Sequence, residues 1–377
     1  MTFKIASHPR RRGIVTRLGL LLWLFIVGAA PVWANCTRIT PATPTNGSIS
    51  LTGTITVGRD VPVGTELYRA SYRADPTMQL NCGAGAYSWQ FNLGGTLNVD
   101  SSWTPPLGAK LYKTSVSGIG VYFWSANAGG PFGLPKSNFD PGTFASASTY
   151  TFSPVGGNGG STVQSVEVSF VRTSGPLGAG PLTPTSIPTV QQGLSSGNFT
   201  PVFTAAATGS LVVVAGTCTT PDVTVDLGTH YTTELKGVGP IGQWINVPIA
   251  LNNCPAFFGQ SWQFVNTTTT PTTTTRYSLA NNSIQYSVTP TTSIVSGSPG
   301  VMALQSGGAT GIGIQMGDGK GNPLQYNTKI APSSLSNLSS TTGSNRQLTL
   351  QARYYQTTST PTAGQANGQA TVTLTYL

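Results

Sequence analysis

Few residues in this chain could carry out chemistry. Its 377 residues include two histidines, four cysteines, ten acids and nineteen lysines and arginines. A Ser-His-Asp triad needs an imidazole base, and beyond the N-terminal region only His230 remains; it follows an alternating stretch and reads as a surface residue. Paired carboxylates could cleave a glycosidic bond, but the nearest sequence pairs, Asp60 with Glu66 and Asp222 with Asp226, sit in structural motifs. The Asp318–Asn322 stretch has the outline of a calcium loop, yet Lys320 takes the third position, where an acid ligand is required. Gly83-Ala84-Gly85 is too short for a dinucleotide fingerprint. Zinc is disfavoured by the lack of any C-x-x-C spacing. We expect no catalytic residues, no metal and no cofactor.

What remains is chemistry of binding. Trp103, Tyr122 and Trp124 can stack on the apolar faces of sugars, while Asn138 and Asp140, in a loop-like stretch, take the hydroxyls. Tyr122 and Trp124 share one strand face, so one of them serves equally well as core. Arg73, with Arg69, could meet an acidic glycan or matrix protein, although a solvated strand face explains both.

These residues must be held by strands. Only 8% of the chain is charged, against roughly 25% in an ordinary soluble domain, and Gly (46) and Pro (27) are abundant. Aromatic content argues against disorder. Period-2 alternation recurs: Ile49, Leu51, Ile55 and Val57 face one way, as do Val166, Val168 and Phe170. The run from Val265 to Arg276, dominated by threonine, fits either an exposed loop or an edge strand. We therefore expect an all-β protein of two immunoglobulin-like β-sandwich domains.

The net charge of +9 misleads about partners. Lys4, Arg10, Arg11, Arg12 and Arg17 precede an apolar run from Leu18 to Ala30, followed by the small-residue site Val32-Trp33-Ala34. This is a secretory signal peptide, too short for the ~20 residues of a membrane span. We expect domains at 1–34 (signal peptide), 35–207 (receptor binding) and 208–377, with no membrane span and no nucleic-acid partner. Export favours disulfides. Four cysteines allow three pairings; their clustering favours Cys36 with Cys82 and Cys218 with Cys254.

The final residues alternate without a fault. Ala370, Val372, Leu374 and Tyr376 face one way and Thr371, Thr373 and Thr375 the other. The chain is expected to end inside a strand, leaving a sandwich one strand short and its core open along a groove.

At this point the residues resemble a known family. Gly216-Thr217-Cys218, Val225-Asp226-Leu227-Gly228, Ile249-Ala250-Leu251-Asn252-Asn253-Cys254, Gly321-Asn322-Pro323-Leu324, Gly364 and the ending through Tyr376-Leu377 are similar to the pilin domain of chaperone–usher fimbriae. The resemblance implies an incomplete pilin fold, lacking its last strand, that accepts one by donor-strand complementation. Its groove would draw on Val212, Val214, Leu348, Leu350, Val372, Leu374, Tyr376 and Leu377. Implied partners are a periplasmic chaperone, an outer-membrane usher and an adjacent pilin subunit.

With cleavage expected after Ala34, the mature chain would reach Cys36 after one residue, too little for a donor extension, and the resemblance then implies a position at the fimbrial tip. Asp60-Val61-Pro62-Val63-Gly64-Thr65 and Phe170-Val171-Arg172-Thr173 are closest in style to type 3 fimbrial adhesins. The expected function is a non-enzymatic tip adhesin on the bacterial surface, exported through the periplasm, binding a host glycan or extracellular-matrix protein. A structural adaptor subunit and a secreted carbohydrate-active enzyme are the alternatives.

Overall fold

The computed structural model describes residues 35–74, 77–127, 130–153, 157–161, 164–267 and 272–377; the expected signal peptide lies outside them. Alternation of β-branched and aromatic residues between Gly and Pro turns yields strands throughout. In chain order they are β1 (Cys36–Thr40), β2 (Thr45–Val57), β3 (Glu66–Ala74), β4 (Met78–Cys82), β5 (Gly85–Gly94), β6 (Tyr112–Lys113), β7 (Ile119–Asn127) and β8 (Gly130–Gly133). Next come β9 (Lys136–Phe144), β10 (Ser148–Ser153), β11 (Gly160–Ser161), β12 (Gln164–Arg172), β13 (Gly180–Leu182), β14 (Thr189–Ser195) and β15 (Phe199–Ala215). The remainder are β16 (Gly239–Cys254), β17 (Gln260–Asn266), β18 (Thr273–Ala280), β19 (Ile284–Pro290), β20 (Val301–Ala303), β21 (Ile312–Gly317), β22 (Ser344–Gln356) and β23 (Ala370–Tyr376). Short 3-10 turns are the only helical pieces among the described residues, and no described helix is long and apolar enough to cross a membrane.

The N-terminal sandwich packs a sheet of order β18-β17-β3-β12-β7-β6, with β8 beside β7, against one of order β13-β15-β14-β5-β9, with β2 beside β15. Alternation sets its core: Ile49, Leu51, Ile55 and Val57 of β2, Val121 and Phe123 of β7, and Val166, Val168 and Phe170 of β12 are all buried. Cys36 and Cys82 lie directly opposite on β1 and β4 and are bonded. Trp89 packs edge-on against Phe152 in the same core.

The C-terminal sandwich is smaller. One sheet runs β16-β22-β21-β20 and the other consists of β19 and β23 alone. Its core holds Leu251, Ile284, Tyr286, Leu348, Leu350 and Tyr376, next to the Cys218–Cys254 disulfide.

The two sandwiches share structure. Strand β15 continues without a break through 207/208 and pairs in parallel with β2 from Phe203↔Thr45 to Ala215↔Val57. The β17–β18 hairpin, which follows the second disulfide in sequence, joins the N-terminal sheet by parallel pairing of β17 with β3. Its Val265 packs on the N-terminal core. Gln263 fixes the junction: Tyr68 Oη donates to its Oε1 at 3.1 Å and its Nε2 donates to Ser50 Oγ at 3.1 Å. Asn282 Nδ2 donates to the Thr56 carbonyl at 2.9 Å. Gly58 faces the Tyr376 carbonyl so closely that a Cβ would collide with it.

Candidate functional site

The outer face of the N-terminal sheet carries two rows of side chains in register across five strands. One row runs Tyr277 (β18), Trp262 (β17), Arg69 (β3), Ser169 (β12) and Tyr122 (β7); the next runs Thr275, Phe264, Ser71, Glu167 and Trp124. Four strand spacings make each row roughly 19 Å long. Period-2 alternation puts these residues outside because their neighbours Ala70, Val121, Phe123, Val168 and Phe170 are inside.

Within the rows the polar groups are tied together. Arg69 grips Glu66 with two bonds, Nε to Oε1 at 2.9 Å and Nη2 to Oε2 at 2.6 Å. Ser169 Oγ donates to Glu66 Oε1 at 2.6 Å, and Trp124 Nε1 donates to Ser169 Oγ at 3.1 Å. On the other side Trp262 Nε1 donates to Ser71 Oγ at 2.6 Å, and Ser71 donates to a Glu167 carboxylate oxygen. The Arg69 guanidinium lies between two indoles, 5.3 Å from the Trp124 ring centre and 5.4 Å from that of Trp262. Such contacts are worth about 0.5–2 kcal/mol each.

This roof dries the network beneath it. Glu167 is 7% exposed and Ser71 2%. Burial pushes the Glu167 carboxyl up to about 7, against the opposing pull of the Ser71 bond and Arg69. Burial pulls the Arg69 guanidinium down, but the Glu66 pair outweighs it and leaves it raised. The solvent side is aromatic. Tyr277 is 45% exposed and stands 4.9 Å, ring centre to ring centre, from Trp262; Trp124, Trp262 and Phe264 are half-buried.

The structure brings Tyr122, Trp124 and Arg73 onto this one face, Arg73 one step along β3 from Ser71. Tyr122 itself is buried and forms with Leu111 and Val171 a small cluster that Trp103 covers, 6.0 Å from Tyr122. Asn138 and Asp140 are elsewhere. They lie in strand β9, not in a loop, and β9 pairs with β5 in the opposite sheet; their side chains lie outside the description. Glu66, Ser71, Glu167, Ser169, Trp262 and Tyr277 belong to the face but were not legible as site residues. His230 hydrogen-bonds Glu234 at 3.0 Å and meets Tyr354 edge-on.

A second feature lies along β23. That strand pairs with β19 over its whole length, and among the described residues its other edge has no ladder. Residues 220–231 are likewise without a ladder, held by one bridge, Thr219↔Asn252. The two segments meet at one end, where Cys218 N–H donates to Tyr376 Oη at 3.0 Å. A cavity of about 380 Å3 lies between residues 228–235 and the stretch that leads into β23, lined by Gly228, Leu235, Ile241, Ile312, Tyr354 and Gly364 and by no residue of β23 itself.

Leu348 and Leu350 are buried in the C-terminal core, whereas Ala370, Val372 and Leu374 pack on that core yet stay half-buried. Tyr376 is clamped by Asp60, whose Oδ2 accepts its N–H at 2.9 Å and whose N–H donates to its carbonyl at 3.1 Å. Leu377 exchanges backbone bonds with Ser283. Val212 and Val214 are not brought here. They sit on β15 opposite Thr54 and Thr56 of β2, because the apolar run at 211–214 is consumed by the N-terminal sheet.

Comparison with known proteins gives matches of sequence and of structure. Residues 206–377 match the family model described as fimbrial protein. A fimbria adhesin protein of Klebsiella pneumoniae is 24% identical over 368 residues, covering 96% of this chain and 99% of its own length. Among solved structures, the CupB6 tip adhesin of Pseudomonas aeruginosa is 16% identical, covers 90% of this chain and 94% of its own, and superposes with a TM-score of 0.34. The receptor binding domain of the plasmid-born adhesin MrkD1P of Klebsiella pneumoniae is 15% identical, with 49% and 98% covered and a TM-score of 0.32. By sequence the chain is thus similar to the fimbrial protein family over residues 206–377 and to a fimbria adhesin over nearly its whole length.

Proposed function

We propose that this chain is a fimbrial tip adhesin, held on the pilus by a strand donated from an adjacent subunit and attaching the cell through the outer face of its N-terminal sheet. The observation that carries the reading is the edge of β23 that no strand covers among the described residues. An apolar row that is packed on a core but half-exposed, next to a strand edge without a ladder, is a seat for one more strand. An alternating donor strand would supply both backbone partners and apolar side chains.

The periplasmic chaperone would cover that edge first, the usher would exchange it for the neighbouring subunit, and the assembled chain would stand at the fimbrial tip on the cell surface. Receptors of this class are glycans or matrix proteins, and attachment requires no turnover.

The test is to append a linker and an alternating apolar strand after Leu377. The fused protein is expected to be monomeric and to melt at a clearly higher temperature than the unfused chain. Equal melting temperatures and equal aggregation would overturn the reading.

A further inference from the structure

We infer that the receptor site is a composite of both halves of the chain, built on one sheet, and that its ligand is a neutral glycan, stacked across Trp124, Trp262 and Tyr277. The inference rests on the adhesin reading above. Trp262 and Tyr277 come from the β17–β18 hairpin, yet they stand in register with Arg69 and Ser169 of the N-terminal strands. The hairpin therefore lengthens the aromatic face from the two rings of β7, Tyr122 and Trp124, to a strip that reaches the sheet edge at β18.

Ligand chemistry follows from charge. The cation at the centre of the strip, Arg69, is already matched by two bonds to Glu66, so it offers no unbalanced charge to a sulfate or carboxylate; Arg73, exposed on the same face beyond Ser71, also has a partner within the protein. The second acid, Glu167, lies under the roof rather than on the surface. What faces solvent is a line of half-exposed indole and phenol rings edged by the exposed hydroxyls of Thr273 and Thr275. Rings of this kind take the apolar faces of pyranoses, and flanking hydroxyls take hydrogen bonds from their polar rims. An extended, shallow strip suits several linked sugars better than a single buried residue.

The experiment uses the full chain, complemented by the appended donor strand, on an array holding neutral, sialylated and sulfated glycans together with matrix proteins. Tyr277→Ala alters an exposed ring and leaves the fold intact. It is expected to weaken neutral-glycan binding about tenfold, the loss of roughly one stacking contact. Trp124→Ala should weaken it comparably, with the melting temperature measured alongside. Binding of neutral glycans that survives Tyr277→Ala and Trp262→Phe but fails in Trp124→Ala would overturn the composite site while leaving adhesion intact. Preference for sulfated or sialylated glycans with steep salt dependence, or binding of matrix proteins alone, would overturn the neutral-glycan assignment. No binding to anything, from a folded complemented chain, would overturn the adhesin reading itself.

Discussion

Glu167 offers a test of the roofed network by acidity alone. Its carboxyl is raised from 4.5 to about 7, chiefly by burial beneath Trp124, Arg69 and Trp262. In the unfolded chain it returns to the ordinary value. Between pH 4.5 and 7 the folded state therefore binds more protons than the unfolded state, so stability falls as pH rises through that window. At about 1.4 kcal/mol per unit, the loss at pH 8 relative to pH 4 is roughly 3 kcal/mol. Glu167→Gln holds the neutral form at every pH and removes the loss. The variant should match the wild type near pH 4 and exceed it by roughly 3 kcal/mol at pH 8. Urea unfolding of the strand-complemented chain, followed by tryptophan fluorescence across that range, reads the difference; subtracting the two profiles cancels the other titrating groups. Parallel profiles from pH 4 to 8 would show that Glu167 ionises at its ordinary value, and the dry roof would be refuted.

Other perturbations address the junction and the frame. Asp60→Ala leaves the Tyr376 N–H without its acceptor. It should cost about 1–3 kcal/mol in urea unfolding, with Asp60→Asn restoring most of it. Tyr376→Ala removes both the acceptor for Cys218 N–H and a core ring, and should abolish co-purification with a periplasmic chaperone; undiminished capture would count against the groove. Replacing Cys36 and Cys82 together by serine reopens a loop spanning 46 positions. It should lower stability by roughly 4 kcal/mol, seen as a fall in thermal midpoint that reducing agent reproduces in the wild type.

Much of the fold was written in alternation. The β23 pattern and the β2 set of Ile49, Leu51, Ile55 and Val57 need only a period of two and a core to face. Disulfide pairing followed from clustering, since each bonded pair closes a short stretch of chain. The ligand face was legible only in halves. Tyr122, Trp124, Arg69 and Arg73 sit on strands whose alternation is plain. Trp262 and Tyr277 flank a threonine run that fits loop and strand equally, and their place depends on β17 choosing β3, a partner 191 residues away in the case of Trp262 and Ser71. The burial of Glu167 depends on indoles from two other strands, which no local pattern records. The apolar run at 211–214 alternates as well: Leu211 and Val213 enter the N-terminal core, while Val212 is exposed and Val214 half-buried, and no local pattern records which sheet such a run joins. Asn138 and Asp140 looked like loop because Pro135, Pro141 and Gly142 punctuate them, yet β9 forms at a sheet edge, where proline is tolerated.

Attachment to the pilus requires the open edge of β23 to accept a strand. Amide hydrogen exchange, resolved along residues 370–376, reads that edge directly in the unfused chain and in the chain carrying an appended donor strand. Pairing with β19 alone protects only the amides that point toward β19, so the alternate amides of Ala370, Val372 and Leu374 should exchange fast in the unfused chain, while that of Tyr376 is held by Asp60. In the fused chain they should slow to the rate of their neighbours, together with amides in the 220–231 segment. Unchanged fast exchange of the alternate amides in a folded, fused protein would mean that no strand joins that edge, and the pilus attachment proposed here would be wrong.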